Sequence, residues 1–252
     1  LKAEGKSSAS VSRAVASIRS FYNYLVYSGK CNSNPADAVT TEKCTRKIPD
    51  VLSGEEVDLL LSQPDTADSK GIRDKAMLEV LYATGIRVSE LIALNETDVN
   101  LTAGFIRCGS GSKERVIPIY PTAVSSLAIY INVVRTQLVS ASSETALFVN
   151  MNGERMSRQG FWKLIKVYQK KAGISKDLAP HMLRHSFASH MIEQGVPIHF
   201  VQSMLGHRSL SSTQIYIHVS SKAVMGMRSP LDRPNQKKDA IRPVQKDGGL
   251  HG

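Results

Sequence analysis

The chain has 252 residues, 42% of them hydrophobic and 21% charged, with 17 glycines and 10 prolines. That balance fits a globular protein and excludes a disordered, collagen-like or disulfide-scaffold chain. No run approaches the roughly 18 apolar residues of a membrane-spanning helix. Thirty-two basic residues against 22 acidic ones leave a formal charge of +10. The excess favours a polyanionic partner, although composition alone does not separate nucleic acid from an anionic membrane surface.

The first expected element is a helix. Val11, Val15, Ile18, Tyr22 and Leu25 recur at three- and four-residue steps, which places an apolar stripe on one face. Ser28-Gly29 and then Asn34-Pro35 mark its end. One long helix and a short successor cannot bury a core. Residues 1–40 therefore read as part of a larger N-terminal helical domain, in a chain that opens on Leu1 rather than Met. The polar, basic, proline-containing residues 41–51 read as a linker. Cys31, Cys44 and Cys108 are odd in number and contain no CxxC pair. They signal neither a disulfide framework nor a thiolate zinc site, and a reducing, cytoplasmic setting is expected.

A second unit is expected over residues 52–227. Ser53 three residues before Glu56 forms a capping-box pattern, and helical periodicity follows through 59–61, 76–82 and 88–94. The period then changes. Residues 105–108 and 116–119, around a Gly-Ser-Gly-Ser turn at 109–112, read as a β-hairpin. Leu147-Phe148-Val149 is a candidate third strand. Helices resume at 121–137, 157–172, 183–194, 198–205 and 212–219. Residues 228–252 carry six basic residues, three acidic ones and three prolines, and read as a basic, disordered tail. No internal repeat is evident. The fold class is mainly α (α+β), helical with a small antiparallel sheet.

Three segments concentrate cationic and hydrogen-bonding groups beside small residues. In Thr84-Gly85-Ile86-Arg87-Val88-Ser89-Glu90-Leu91, Gly85 breaks one helix and Arg87 opens the next, with Glu90 on the same face. An arginine at a helix start is opposed by the helix dipole unless an anion or carboxylate offsets it. Taken alone it reads as a surface residue. In His181-Met182-Leu183-Arg184-His185, about 100° per residue sets His181, Arg184 and His185 on one side of a helix. Leu183 and Phe187 then face the core. Arg supplies a bidentate fork and His a donor or acceptor near neutral pH, a set suited to an oxyanion or phosphate. A zinc site from His181 and His185 competes with this reading, but Arg184 between them would repel a metal cation. A merely polar helix face is the plain alternative.

The third segment runs from Leu205-Gly206-His207 to Tyr216. Nine residues are about two and a half helical turns, so a straight helix would set His207 and Tyr216 on opposite sides. The Ser-rich break at 209–212 supplies an N-cap and lets the chain turn, so both can approach one site. A tyrosine between Ile215 and Ile217 otherwise reads as half-buried packing.

Taken jointly, TGIRVSEL, HMLRHSFASH and LGHRSLSSTQIYIHV resemble the signature boxes of the tyrosine recombinase (phage integrase) family, in wording closest to its Xer branch. The likeness runs from about residue 10 to residue 225. It implies a helical catalytic domain with a small sheet, preceded by a partial helical core-binding (SAM-like) domain. The implied activity is site-specific DNA recombination through a 3′-phosphotyrosyl intermediate, with neither metal nor other cofactor. The implied catalytic residues are Tyr216 as nucleophile, Arg87, Arg184 and His207 around the phosphate, and His181 as the group that helps Tyr216 lose its proton. Glu90 would orient the first arginine and His185 would be a structural support. The implied partners are double-stranded DNA with a specific recombination site, a homo- or hetero-tetramer on paired sites, and an accessory protein, with no membrane. The segment 220–227 resembles a C-terminal helix that docks into a neighbouring protomer.

One departure stands out. The family takes the leaving-group proton from a lysine in a hairpin stretch often written GKGxKER, whereas this chain reads Gly109-Ser110-Gly111-Ser112-Lys113-Glu114-Arg115. Ser110 replaces the first lysine, so Lys113 is the candidate acid. That substitution keeps open a noncatalytic DNA-binding protein on a decayed recombinase domain. A type IB-like topoisomerase and a His181/His185 metallohydrolase are further alternatives.

Overall fold

A computed structural model describes residues 1, 4–41, 49–139 and 144–224. Cys44, most of the expected linker, residues 225–227 and the basic tail lie outside them. The chain divides into two compact units, Leu1–Ile48 and Pro49–Gly252.

In the first unit, α1 spans Ser8–Tyr27, with the Ser7 hydroxyl accepting from the Ser10 amide at its start. A short 3₁₀ turn, Pro35–Ala38, folds back on it. Arg19 Nε donates to the Ala36 carbonyl at 3.1 Å, and Asn34 Nδ2 donates to Asn23 Oδ1 at 2.7 Å. Val11 is buried, yet Ile18, Phe21, Tyr24 and Tyr27 stay exposed. The apolar stripe of α1 is thus only partly covered.

The second unit is helical around one main core. Its first helix, α2 (Gly54–Leu61), begins with the expected capping box: the Glu56 amide donates to Ser53 Oγ at 3.1 Å and the Ser53 amide to Glu56 Oε2 at 2.8 Å. Next comes α3 (Ser69–Thr84), buried nearly all round, with Ala76, Met77, Leu78, Val80 and Leu81 fully covered. Carboxylates on such a helix must be paired. Asp74 accepts from Arg73, Lys70 and the Tyr168 hydroxyl, while Glu79 takes Lys75 at 2.7 Å and the Tyr120 hydroxyl. After α4 (Val88–Ala93), three antiparallel strands follow: β1 (Val99–Asn100), β2 (Phe105–Cys108) and β3 (Arg115–Pro118). The register sets Ile106 against Ile117 and Cys108 against Arg115, with Ile106, Cys108 and Ile117 turned inward.

Two expectations change here. The third strand is β1, not Leu147–Val149. That segment is buried, but it bends at Leu147 and Phe148 and forms only isolated bridges, Asn95 to Ala146 and Val149 to Arg155. A side chain takes the place of a neighbouring strand: Tyr130 Oη donates to the Leu147 carbonyl at 3.0 Å and accepts from the Val149 amide at 3.1 Å. The helix expected over 121–137 is also not uniform. It runs as α5 (Pro121–Ile129), widens into a π turn at Tyr130–Arg135 and closes as α6 (Thr136–Leu138). Tyr130 and Arg135, both from the wide turn, dock on the 144–149 segment.

Four helices complete the unit: α7 (Arg158–Lys171), α8 (Pro180–Glu193), α9 (Ile198–Leu205) and α10 (Ser211–Val224). The start of α8 lies three residues ahead of the expected one, because Pro180 occupies its first turn. Leu183 joins the main core. Phe187, Ala188, Val201, Leu205 and Tyr216 form a second, smaller cluster between α8, α9 and α10. Among the described residues, no helix is long and apolar enough to cross a membrane.

Candidate active site

Gly85 ends α3 in the left-handed region, at φ 58°, and turns the chain so that Arg87 becomes the residue preceding α4. A side chain at 85 would be strained twice, since its Cβ would lie 2.3 Å from Phe187 Cδ1. The Arg87 amide donates to Glu90 Oε2 at 2.7 Å, and its Nη1 reaches Glu90 Oε1 at a longer 3.5 Å. Half of the Arg87 side chain remains exposed. Arg115 grips the same carboxylate with both ends of its fork, Nη1 to Oε1 at 3.0 Å and Nη2 to Oε2 at 3.1 Å. Burial pushes the Glu90 carboxyl up, but hydrogen bonds from Arg115 and the Arg87 amide outweigh it, and the net shift is downward.

On α8, Arg184 is buried, at 6% exposure. Its Nη1 donates to the Gly85 carbonyl at 2.7 Å and its Nη2 to the Leu205 carbonyl at 2.6 Å. One guanidinium thereby satisfies orphan carbonyls at the ends of both α3 and α9. Burial, with nearby Arg87 adding to it, lowers its pKa to about 10, so it stays charged at neutral pH. One residue on, His185 Nδ1 lies 2.7 Å from the Tyr216 hydroxyl. Burial, then His181 and Arg184, push His185 down to about 4, so it is neutral at pH 7 and able to accept a proton. The exposed His181 ring packs edge-on against His185, at 5.5 Å between centroids.

The third box is built as a helix end, a turn and a new helix. Gly206 closes α9 at φ 64°, and Ser209 hydrogen-bonds to Ser211 at the start of α10. The break brings the His207 and Tyr216 rings to 6.5 Å, nearly parallel. His207 Nδ1 pairs with the Thr213 hydroxyl at 2.8 Å, which leaves Nε2 as its nitrogen for a ligand. Burial, then Arg184 and Arg87, lower His207 to about 4. Tyr216 is 2% exposed. Burial raises its phenol pKa, and the attraction of Arg184 and Arg87 only partly offsets this.

Arg87, Lys113 and His207 line one open cleft of about 740 Å³, together with Glu90, Arg115 and Arg208. Lys113 ends the 3₁₀ turn Gly111–Lys113 at the tip of the hairpin. His181 and Arg184 face a smaller hollow on the other side of Arg87, of about 260 Å³. All eight residues singled out in the sequence therefore fall in one region of the second unit. Tyr216 lines neither cavity. Its hydroxyl is held by His185 rather than by His181. Two contributors were not foreseen. Thr213 gave no signal, being one hydroxyl in a Ser/Thr-rich stretch. Arg115 could have been found from the hairpin register, since it shares a face with the buried Cys108 and a cation there needs a carboxylate.

The description "phage integrase family" matches residues 50–223. The chain belongs to the phage integrase family. The recombinase is 47% identical over 224 residues to tyrosine recombinase XerD of Staphylococcus epidermidis, covering 88% of this chain and 76% of that relative. Among solved structures it resembles XerA recombinase, with a TM-score of 0.64, 31% identity, and coverage of 89% of this chain and 76% of the other. It also resembles XerH site-specific recombinase bound to a palindromic difH substrate in a post-cleavage complex. There the TM-score is 0.62 at 26% identity, over 71% of this chain and 52% of the other. The mainly helical architecture with its small antiparallel sheet is that of a tyrosine recombinase catalytic domain, and the activity is site-specific recombination.

Proposed function

We propose that the recombinase binds duplex DNA at a specific site and that Tyr216 is its nucleophile. The carrying observation is the grouping of Arg87, His207 and the Glu90–Arg115 pair on one cleft, with Arg184 on the adjoining hollow and the Tyr216 hydroxyl held by His185. A phosphodiester is an anion that repels nucleophiles, and its transition state gathers charge on the nonbridging oxygens. Arg87 and Arg184 supply fixed positive charge there, and His207 donates from Nε2. Thr213 supports that role, because a hydroxyl donating to Nδ1 leaves the ring proton on Nε2.

Tyr216 Oη attacks the phosphorus and the bond to the 5′ oxygen breaks. A 3′-phosphotyrosyl enzyme and a free 5′-hydroxyl result. The phenol proton passes first to His185, whose Nδ1 lies within hydrogen-bond reach, with His181 packed behind it. Lys113, on the cleft wall, protonates the leaving 5′ oxygen. The covalent link conserves the bond energy, so a different 5′-hydroxyl rejoins the strand without ATP. A tetramer on paired sites, an accessory protein and a cytoplasmic setting complete the reading.

A suicide duplex nicked beside the cleavage point tests it. The parent chain forms a covalent DNA adduct and Tyr216→Phe forms none. An adduct that persists in Tyr216→Phe, or none with the parent, sinks the reading.

A further inference from the structure

Arg115 opens β3, two residues beyond Lys113, and its guanidinium joins three elements. Both Nη atoms hold Glu90 on α4, and Nε donates to the Met204 carbonyl at 2.8 Å near the end of α9. The turn that carries His207 is pressed against it: a Cβ on Gly206 would lie 3.0 Å from Arg115 Cζ. The fork is mostly covered, at 12% side-chain exposure.

The distances around Glu90 show a competition. Its carboxylate has two cationic neighbours, and Arg115 holds it by two bonds of 3.0 and 3.1 Å, while the Arg87 guanidinium reaches it only at 3.5 Å. The Arg115 fork takes two of the roughly four acceptor sites of the carboxylate and the Arg87 amide takes another at 2.7 Å, so little is left for the Arg87 guanidinium. The Arg87 charge is thus kept for a phosphate in the cleft rather than neutralised beside it. Without Arg115, Glu90 would close on Arg87, and the Gly206-His207 turn would lose the strut that ties it to the same carboxylate.

We propose that Arg115 is a positioning residue of the recombinase: by occupying Glu90 and the Met204 carbonyl together, it leaves Arg87 available to the scissile phosphate and fixes the turn bearing His207. This rests on the reading of the cleft given above.

The test measures single-turnover adduct formation by Arg115→Met and Arg115→Lys on two suicide duplexes. One has a normal scissile phosphodiester and the other an uncharged methylphosphonate at that position. Loss of one charge-stabilising donor typically slows such a step by about 100-fold. Arg115→Met is expected to lose about that much on the phosphodiester and less than about 5-fold on the methylphosphonate, where no full anion needs Arg87. Arg115→Lys, which keeps a cation near Glu90, lies between. Adding Glu90→Gln to Arg115→Met removes the carboxylate that traps Arg87, and recovers about 5- to 10-fold on the phosphodiester. Equal losses on both duplexes without recovery in the double variant make Arg115 a fold strut only and overturn the inference, as does full activity of Arg115→Met. If Arg115→Met fails to fold, Arg115→Lys is read by the same two ratios. A parent chain that forms no adduct with either duplex overturns the recombinase reading itself, and the inference with it.

Discussion

In the recombinase His185 Nδ1 lies 2.7 Å from the phenolic oxygen of Tyr216, while the neighbouring His181 packs edge-on against the His185 ring. A base must reach the proton it removes, and His185 is in reach. His185→Asn is expected to slow adduct formation by about 100-fold, and His181→Asn by clearly less. With His185 held near 4, the rate keeps its acid limb near that pH rather than near an ordinary histidine value. A single-turnover pH profile checks both. Equal losses in the two variants return the role to His181.

Two half-buried imidazoles, those of His185 and His207, shape stability. His185 and His207 each have folded values of about 4, below the roughly 6.5 of an unfolded histidine. Between those values the unfolded chain binds protons that the folded chain does not, so stability falls as pH is lowered from about 6.5 to 4. Thermal midpoints across that window show the decline. His207→Asn removes up to about one proton of the uptake on unfolding. A flat profile for the parent chain excludes the effect.

Lys113 is the hairpin lysine on the cleft wall, and position 110 holds a serine. Lys113→Ala is expected to slow cleavage by about 100-fold. A duplex with sulfur at the 5′ bridging position needs no proton on its leaving group, and on it the variant approaches the parent rate. Ser110→Lys, which adds a second ammonium to the same turn, raises the parent rate on the normal duplex. Failure of the sulfur duplex to restore Lys113→Ala assigns the proton to another group.

Gly85 combines a left-handed backbone with a close approach of Phe187. Gly85→Ala is expected to destabilise the fold by about 2–3 kcal/mol, and to displace Arg87, which follows two residues later. Chemical denaturation measures the first and adduct formation the second. An unchanged denaturation midpoint contradicts the strain argument.

Local chemistry was legible in the sequence. The Ser53–Glu56 capping box and the Arg87–Glu90 contact span three residues each, and the helical period put Arg184 and both histidines on one side. Contacts between distant segments were not. The two carbonyls under Arg184 lie 99 and 21 residues away in sequence, and Glu90 lies 25 from Arg115. Which histidine of α8 meets Tyr216 depends on how α10 packs across it, and no periodicity encodes that angle. The strand β1 escaped because Val99–Asn100 is two residues long and half polar. Leu147–Val149 misled for the opposite reason: an apolar run looks like a strand even when a tyrosine hydroxyl takes two of its backbone hydrogen bonds.

Tyr216 packs with Phe187, Val201 and Leu205 as part of the smaller apolar cluster. The proposed nucleophile is therefore also filler for the interior, and withdrawing it leaves a hole between three helices. Emptying an aromatic site of this kind costs about 3–5 kcal/mol. The free energy of docking onto a polyanion has to offset that loss before the phenol can reach phosphorus. On the proposed mechanism, packing thereby couples strand scission to duplex engagement.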